Sequence, residues 1–440
     1  MSLTGNIKRT VGYFKKNGIK DTFYAVAERL DQKRKYKYRY EAPTEAELAE
    51  QRAYVFREPV LISVVVPAYE TKDVFMQDLI LSLEDQTYRN FELVIADASK
   101  TDAVKNIVED FSSQYDFIRY LRLESNDGIS ENTNRGIDAA TGKYIGLLDH
   151  DDVLTPDALF HVMCAIEDSD VLPDLIYSDE DKADGFLDRF FDPYRKNDFN
   201  RDLLFTNNYI CHFSVFRAEV IKGSKLRKEY DGAQDYDLIL RICAGAKGPE
   251  YIKHIPRVLY HWRCHTSSTS DNPESKMYAY EAGRRAAEAA VRELTGKQVE
   301  VKMTKHLGFY RTEYGDGIFD LRPDIGAVGG PLFRAGRVSG GAMDKEGHVM
   351  FEGLPKGFSG LIHIASLQQD VEAADIRNIR IRDDLMPLFR EVTGEDSPDS
   401  KALDTLNDKD AVAESLKFCN KLREQGIVIM YDPDLTKNRG

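Results

Sequence analysis

The segment KYIGLLDHDD, residues 143–152, places three carboxylates directly after an apolar strand. Asp149 and Asp151 alternate along the chain, so both can reach one hard divalent cation, and Asp152 follows them. Oxygen-rich sites of this kind suit Mg²⁺ or Mn²⁺, which in turn hold phosphates. The same residues could instead form an acidic turn that precedes a helix. The elements around the segment decide between these two interpretations.

Four apolar runs alternate with helical stretches in this part of the chain, and they end at Val66, Ala96, Leu123 and Leu148. Spacings of 30, 27 and 25 residues between these ends match the length of a βα unit. The pattern predicts a Rossmann-like α/β fold whose mostly parallel sheet carries helices on both faces. The intervening helices are expected near residues 72–86, 102–115 and 129–140.

Each of these predicted strands is followed by polar or acidic residues. In open α/β sheets, ligands bind beyond the carboxyl ends of the strands, so the acids at 149–152 are interpreted as a ligand site. No GxGxxG follows the first strand and no GxxxxGK[ST] occurs anywhere. This excludes a standard dinucleotide-binding fold and a P-loop enzyme.

Length and composition predict two or three domains in a reduced, intracellular setting. The chain has 440 residues, and no apolar run approaches the ~18 residues that a membrane span needs. Its start lacks the apolar stretch of a secretory signal, and its five cysteines form no CxxC pair. The expected location is therefore cytoplasmic. A net charge of −14 argues against general nucleic-acid binding.

Charge is distributed unevenly, because residues 1–40 are strongly basic. They hold eleven Lys/Arg against three acids, a net charge of +8, which leaves −22 on the other 400 residues. Apolar and aromatic residues are interleaved with these bases. Such a segment is able to lie on an anionic membrane surface, here the inner face of the cell membrane. The alternative is a solvated helix docked on its own acidic domain.

Eight segments now match a known pattern in order: SVVVPAYE, FELVIADAS, NDGISENTNRG, GLLDHDDVLTPDAL, YSDEDK, NYICHFSVFR, QDYDLILR and LYHWRCHTSSTS. Through them, residues 59–300 closely resemble family 2 glycosyltransferases of the GT-A fold, in the branch that makes bacterial surface polysaccharides. The resemblance implies transfer of a sugar from a nucleotide diphosphate to a hydroxyl, with inversion of the anomeric centre and a divalent metal, Mn²⁺ or Mg²⁺.

The resemblance also implies roles for individual residues. Asp235 matches the general base, although Gln234 departs from the acid that usually precedes it. Asp149 matches the acid near the ribose and sugar, and Asp151 the acid that holds the metal. His265 matches a residue that completes the metal shell. The residues expected to bind the rest of the donor are Pro67, Tyr69, Glu70, Asp97, Asn126 and Arg263.

Several further residues keep two interpretations. Asp179 and Asp181 are placed to meet sugar hydroxyls or to form a surface turn. Trp262 is placed to stack on the acceptor or to pack in the core, and His212 is expected to be a packed histidine. Asp237 is expected either to raise the pKa of Asp235 or to cap a helix.

The predicted domains are a basic helical segment at 1–58, the transferase domain at 59–300, and a smaller α/β domain at 301–440. The last resembles the later half of a second family 2 domain without its nucleotide-binding half. We expect this degenerate region to pack on the first domain, to form a homodimer, or to help hold the acceptor. The polar segment 391–412 is expected to be a mobile loop.

Three functions compete on the sequence alone. The leading one is transfer from a UDP-sugar, or from dTDP-rhamnose, to a saccharide or polyprenyl-linked saccharide. A sugar-nucleotide-forming nucleotidyltransferase is disfavoured, because VVPAYETKD has no glycine after the first strand. A catalytically inactive, transferase-like binding module is disfavoured by the presence of Asp149, Asp151 and Asp235.

Overall fold

The structure is a computed structural model that describes residue 14 and residues 17–31, 37–265 and 277–439. It divides into two compact units. The first unit comprises Tyr38–Phe199 and Asn207–Ala290. The second comprises Asn200–Thr206, the chain from Val291 onward, and the described residues up to Lys37. Within the described ranges, no helix is both long enough and apolar enough to cross a membrane.

The helices of the first unit are α1 Glu45–Ala53, α2 Asp73–Glu84, α3 Ala103–Ser112, α4 Ile129–Ala139, α5 Ala158–Glu167, α7 Ala218–Ser224 and α8 Gln234–Gly245. Its strands are β1 Ile62–Ala68, β2 Phe91–Asp97, β3 Ile118–Arg122, β4 Tyr144–Leu147, β5 Val153–Leu154, β6 Leu175–Asp184, β7 Phe190–Tyr194, β8 Ser214–Arg217 and β9 Ile252–Cys264. The helix α9, Met277–Thr295, contains the division between Ala290 and Val291.

These nine strands form one sheet in the order β3-β2-β1-β4-β8-β6-β9-β5, with β7 paired to β6. The first four strands are parallel, as the βα spacing predicts. The strand β8 runs antiparallel to both of its neighbours, while β6 and β9 are parallel. The predicted α/β class and the alternation of strands and helices are confirmed.

Burial explains why the central strands are continuous apolar runs. All seven residues of β1 and of β2 are buried, since helices cover the sheet. Apolar side chains of these strands join those of α2, α3 and α5 in one core cluster. Gly136 in α4 is required by close packing, because a Cβ there would lie 2.5 Å from Cγ1 of Val65 in β1.

The strand ends bring the candidate residues to one edge of the sheet. Ala68 pairs with Asp97 and Asp97 with Arg122 at the ends of the first three strands. The strand β4 ends beside Val65, and the acids of residues 149–152 follow it. The strand β9 spans 13 residues and lies beside β6 through Cys264. The segment LYHWRCHTSSTS continues beyond residue 265, and its residues 266–270 lie outside the described residues.

The second unit is also α/β. Its helices are the described residues 17–31, α6 Arg201–Thr206, α10 Ile318–Leu321, α11 Met386–Thr393, α12 Lys401–Asp404 and α13 Asp408–Arg423. Its strands are β10 Val301–Met303, β11 Tyr310–Thr312, β12 Ile325–Gly329, β13 Leu332–Arg334, β14 Arg337–Gly340, β15 Ala342–Met343, β16 Gln369–Asp370, β17 Ala373–Ala374, β18 Ile379–Ile381, β19 Val428–Tyr431 and β20 Lys437–Arg439. The largest sheet there has the order β16-β19-β12-β18.

The prediction of a mobile loop at 391–412 is wrong. The segment holds the end of α11, all of α12 and the start of α13. Ser400 caps α12 by accepting a hydrogen bond from the Leu403 amide, and Asn407 caps α13 by accepting from the Asp410 amide. Side-chain caps of this kind stabilise helix starts in polar sequence, where no apolar period marks them.

Two stacked histidines make the second unit sensitive to acid. The rings of His306 and His363 lie 3.5 Å apart between centroids. Burial lowers the pKa of His306 to about 3 and the pKa of His363 to about 4. Unfolded histidine titrates near pH 6.5, so the unfolded chain binds more protons between about pH 4 and pH 6.5. We therefore expect the free energy of unfolding to fall as the pH is lowered through that window.

The slope of the free energy of unfolding against pH reaches up to about 1.4 kcal/mol per pH unit for each histidine. Urea denaturation at a series of pH values, monitored by circular dichroism, measures it. The variant His363→Gln removes one of the two titrations and should flatten the slope relative to the wild type. Parallel slopes for the two proteins would contradict this account.

Candidate active site

The acids that follow β4 are held by strand β9. The Asp152 carboxylate is buried, where it accepts hydrogen bonds from the Arg263 amide at 2.7 Å and from the Tyr260 hydroxyl. Desolvation, joined by the charges of Asp151 and Asp149, raises the pKa of Asp152 well above its usual value. Asp152 thus fixes the loop from inside and leaves the other two acids on its outer side.

Arg263 holds the backbone of the same loop. Its side chain is fully buried, with Nε donating to the Asp151 carbonyl at 2.7 Å and NH1 to Oδ2 of Asp78 at 2.8 Å. The guanidinium carbon lies 4.6 Å from the ring centre of Phe75. Among the described residues, its NH2 nitrogen is buried without a hydrogen-bond partner. Arg263 therefore connects α2, β9 and the acidic loop.

The two residues expected to hold a metal lie together. Nε2 of His265 is 2.8 Å from Oδ2 of Asp151. Both side chains are largely buried, and the His265 ring packs 5.0 Å from that of Phe75. One imidazole nitrogen and one carboxylate form a donor set that Mn²⁺ accepts, and Mg²⁺ commonly takes one or two carboxylates with waters and substrate phosphates.

Asp149 lies apart from this pair. Its side chain is 56% exposed, and its Oδ2 is 3.8 Å from Nε2 of His212. Desolvation by the surrounding protein, together with the charges of Asp151 and Asp235, raises the pKa of Asp149, and His212 opposes this effect. The charge of Asp235 reaches Asp149, and the adjacent residues Cys211 and His212 contact these two acids respectively.

Asp235 stands in the first turn of α8, half-buried. Its Oδ2 accepts a hydrogen bond from Nδ2 of Asn208 at 2.8 Å and a weaker one from Sγ of Cys211 at 3.7 Å. The preceding Gln234 turns to the backbone, since its Oε1 accepts from the Gly232 amide at 2.7 Å. Asp235 is thereby oriented by the segment before β8.

Asp237 shares no partner with Asp235, and its side chain does not cap the helix. It is buried, and its carboxylate is paired with Nε of Arg227 at 3.0 Å and NH2 of Arg241 at 2.9 Å. The helix-cap alternative is therefore wrong, because Asp237 forms an internal ion pair that anchors α8.

The sequence did not identify His212 as part of this cluster. Its Nδ1 is 3.3 Å from Oε2 of Glu180, and its ring stacks on Tyr260 with centroids 4.7 Å apart. Burial alone would lower the pKa of His212, but the acidic groups Cys211 and Glu180 raise it well above its usual value. Burial keeps the Cys211 thiol neutral by raising its pKa to about 11, so we assign the effect to Glu180. Glu180 therefore favours the imidazolium form of His212 beside Asp149.

A buried ion pair holds the segment that carries these groups. Nζ of Lys196 donates to Oε2 of Glu180 at 3.0 Å and to the Ile210 carbonyl at 2.6 Å, and also to the His212 carbonyl. Burial opposes the ionised form of Glu180, yet Lys196 and His212 lower its pKa to about 2. The pair fastens residues 207–213 to β6, and with them Asn208 and His212.

The residues expected to bind the nucleoside order the loops after β1 and β2. Asp97 is fully buried and accepts hydrogen bonds from the Ser99 amide at 2.8 Å and the Tyr120 hydroxyl at 2.7 Å. Glu70 accepts from the Lys100 amide at 2.8 Å, and this contact and its bond to Thr101 lower its pKa. These contacts connect the two strand ends to each other.

The other residues expected near the nucleoside differ in burial and in their contacts. Tyr69 is 39% exposed at the end of β1, whereas Pro67 is buried within that strand. Oδ1 of Asn126 accepts from the Gly128 amide at 3.2 Å and from Nδ2 of Asn132 at 2.8 Å, which shapes the turn before α4. Tyr69, Glu70 and Asn126 are thus exposed, whereas Pro67 and Asp97 are buried.

Two acids expected near the sugar are buried in β6 with protein partners. Oδ1 of Asp179 accepts from the Lys196 amide at 2.8 Å and lies 3.0 Å from Nε2 of His254. Asp181 accepts from the Tyr38 hydroxyl at 2.7 Å and lies 2.5 Å from Nδ1 of His261. Trp262 is half-buried against the main core, 5.7 Å from the His212 ring.

Residues 63–223 match the family model described as glycosyl transferase family 2. The uncharacterized protein y4gI of Sinorhizobium fredii is 42% identical over 245 residues, which are 55% of this chain and 26% of that protein. The O-antigen biosynthesis protein RfbC of Myxococcus xanthus is 33% identical over 228 residues, 51% of this chain and 18% of that protein. The chain thus spans about a quarter or less of the length of these two relatives.

Among solved structures, that of Staphylococcus aureus TarS 1–349 in complex with UDP is similar at 18% identity and a TM-score of 0.41. The similarity covers 52% of this chain and 65% of that one.

Proposed function

Since residues 63–223 belong to glycosyl transferase family 2, we propose that this protein moves a sugar from a nucleotide-diphosphate sugar to a hydroxyl of a saccharide or lipid-linked saccharide in bacterial surface-polysaccharide synthesis. The observation that carries the proposal is that Cys211 and His212, neighbours in the chain, contact Asp235 and Asp149 respectively, while His265 contacts Asp151. A metal-and-phosphate corner and a separate carboxylate are what glycosyl transfer needs together.

In the proposed reaction, Asp235 is the general base. The acceptor hydroxyl attacks the anomeric carbon of the donor, and its proton passes to the Asp235 carboxylate. The new bond joins the acceptor oxygen to that carbon, while the bond from the carbon to the diphosphate oxygen breaks. The nucleoside diphosphate leaves with the bonding electrons. One displacement of this kind inverts the anomeric centre.

Asp151 and His265 would hold Mn²⁺ or Mg²⁺, which when bound neutralises charge on the leaving diphosphate. The donor set fits these ions, and the buried, unpartnered NH2 of Arg263 is a further group that an anion would satisfy. Arg263 also keeps the Asp151 backbone in place through its 2.7 Å bond. We assign it a positioning role in addition to the expected contact with the diphosphate.

His212 makes the acidic cleft compatible with an anionic donor. Asp149, Asp151 and Asp235 would repel a diphosphate if no cation stood among them. The His212 imidazolium, 3.8 Å from Asp149, offsets one of these charges. We infer that Asp149, so balanced, contacts the ribose or sugar. Tyr69, Glu70, Asp97 and Asn126, on the loops after β1 to β3, would hold the nucleoside.

Turnover of a donor panel tests the function. Nucleotide release is measured with UDP-, dTDP- and GDP-sugars, with and without a polyprenyl-linked acceptor, in Mn²⁺, Mg²⁺ or chelator. We expect release from a UDP- or dTDP-sugar that requires acceptor and stops with chelator, and an inverted anomeric centre in the product by NMR. If no donor turns over although one binds, the protein is a binding module; a retained anomeric configuration would contradict the single displacement.

A further inference from the structure

The helix of residues 17–31 exposes a row of apolar side chains. Ile19, Phe23, Val26 and Leu30 are 76%, 68%, 41% and 59% exposed. At 3.6 residues per turn, their spacing places all four within an arc of about 60° on one face. An apolar stripe of this kind normally faces a core. Here it faces outward.

The opposite face of the helix is fastened to its own unit. The buried Glu28 carboxylate accepts hydrogen bonds from the amide and hydroxyl of Ser359 at 3.0 Å each. Tyr24 packs edge-on against Phe358, with ring centroids 6.2 Å apart. Lys305 donates to Asp21 at 2.9 Å. The helix is therefore held in an orientation that keeps the apolar row outside.

Basic residues flank the row on both sides. Lys20 and Arg29 are exposed, and helical geometry puts them about 90° to either side of the centre of the row. The surrounding segment, residues 1–40, carries +8. Much of that segment (1–13, 15–16 and 32–36) lies outside the described residues. Within the described helix, Lys20 and Arg29 are outnumbered by Asp21, Glu28 and Asp31, so the positive excess lies in the rest of residues 1–40. An apolar row between two bases, inside a basic segment, suits a helix that lies in the interface of an anionic bilayer.

We propose that this helix docks the protein on an anionic lipid bilayer, with Ile19, Phe23, Val26 and Leu30 inserted at the headgroup boundary. Both sequence-based interpretations of the basic segment then hold at once, since one face docks on the protein and the other on lipid. A second copy of the chain is a poorer occupant, because a stable interface buries roughly 800 Å² per partner and one row of four side chains offers less.

Vesicle co-sedimentation of the full chain tests the proposal, independently of any turnover. Binding is compared on phosphatidylcholine vesicles with and without phosphatidylglycerol. Burial of a Phe or Leu side chain favours partitioning by about tenfold or more. We expect the double variant Phe23→Asp/Leu30→Asp to bind anionic vesicles at least about 100-fold more weakly than the wild type. Lys20→Gln/Arg29→Gln should weaken binding only where phosphatidylglycerol is present.

The matched control is Val55→Asp/Phe186→Asp, which changes two side chains that are each 86% exposed in the first unit. It should bind as the wild type does. Should the aspartates lower the thermal midpoint, Phe23→Ser/Leu30→Ser replaces them. Unchanged binding by the row variant, or equal wild-type binding to both vesicle types, would overturn the proposal. So would a wild-type dimer that the row variant converts to monomer without any vesicle binding.

Discussion

Replacing Asp235 by asparagine should lower kcat by about 10²–10⁴-fold, the usual contribution of a general base. The amide is the same size and can still accept the hydrogen bond from Asn208, which lies 2.8 Å from Oδ2. It cannot take the proton of the acceptor hydroxyl. Donor affinity should change little, since the donor is held by other residues. Initial rates of nucleotide release at saturating donor and acceptor give kcat directly.

The control for this variant is Asp110→Asn, an identical change of charge at an exposed position in α3. It should leave kcat and KM as they are. Full activity of the Asp235→Asn protein would mean that another group takes the proton. A large loss of donor affinity with unchanged kcat would instead mean that Asp235 binds the donor and does not take the proton of the acceptor.

A second large effect is expected on metal affinity. Asp151→Asn should weaken Mn²⁺ binding at least about 100-fold in the presence of nucleoside diphosphate. Loss of a group that merely supports a metal ligand typically costs 10–100-fold, and Asp151 is placed as a ligand itself. Electron paramagnetic resonance of free Mn²⁺ during titration measures the affinity without any turnover. His265→Gln should give a loss in the same direction.

Asp149→Asn is the matched comparison, two residues away. Its carboxylate lies with His212, whereas Asp151 lies with His265. Asp149→Asn should therefore reduce Mn²⁺ affinity much less than Asp151→Asn does, because it removes a nearby negative charge and no metal ligand. Wild-type Mn²⁺ affinity in the Asp151→Asn protein would show that the metal does not bind at Asp151.

The sequence predicts the parallel half of the first unit closely, for a simple physical reason. Strands buried on both faces must be continuous apolar runs, and the helices between them set a regular spacing. The predicted strand end at Ala96 and the observed end of β2 at Asp97 differ by one residue. The acidic loop at 149–152 was identifiable because carboxylates rarely follow such a strand without purpose.

The rest of the site depends on pairings that the sequence does not reveal. YSDEDK offers three acids, and Glu180 is the one beside His212. The register of β6 against β9 shifts between Ser178 and Asp179 and again before Glu180. The usual alternation of side chains along a strand therefore cannot predict which face of the sheet each acid lies on. The pKa of His212 is raised by Glu180, which is remote in sequence. A histidine inside the apolar run NYICHFSVF was the available signal.

Strand β9 has a consequence for the order in which the protein is made. Two residues near the end of that strand contact the acidic loop, with Tyr260 on Asp152 and Arg263 on the Asp151 backbone. Tyr260 is synthesised 108 residues after Asp152. While the chain is still on the ribosome, strands β1 to β4 can already pair with one another. The acidic loop that follows them lacks its partners in β9 until that strand has been synthesised. We expect the acidic loop to take its final conformation only after β9 has emerged from the ribosome.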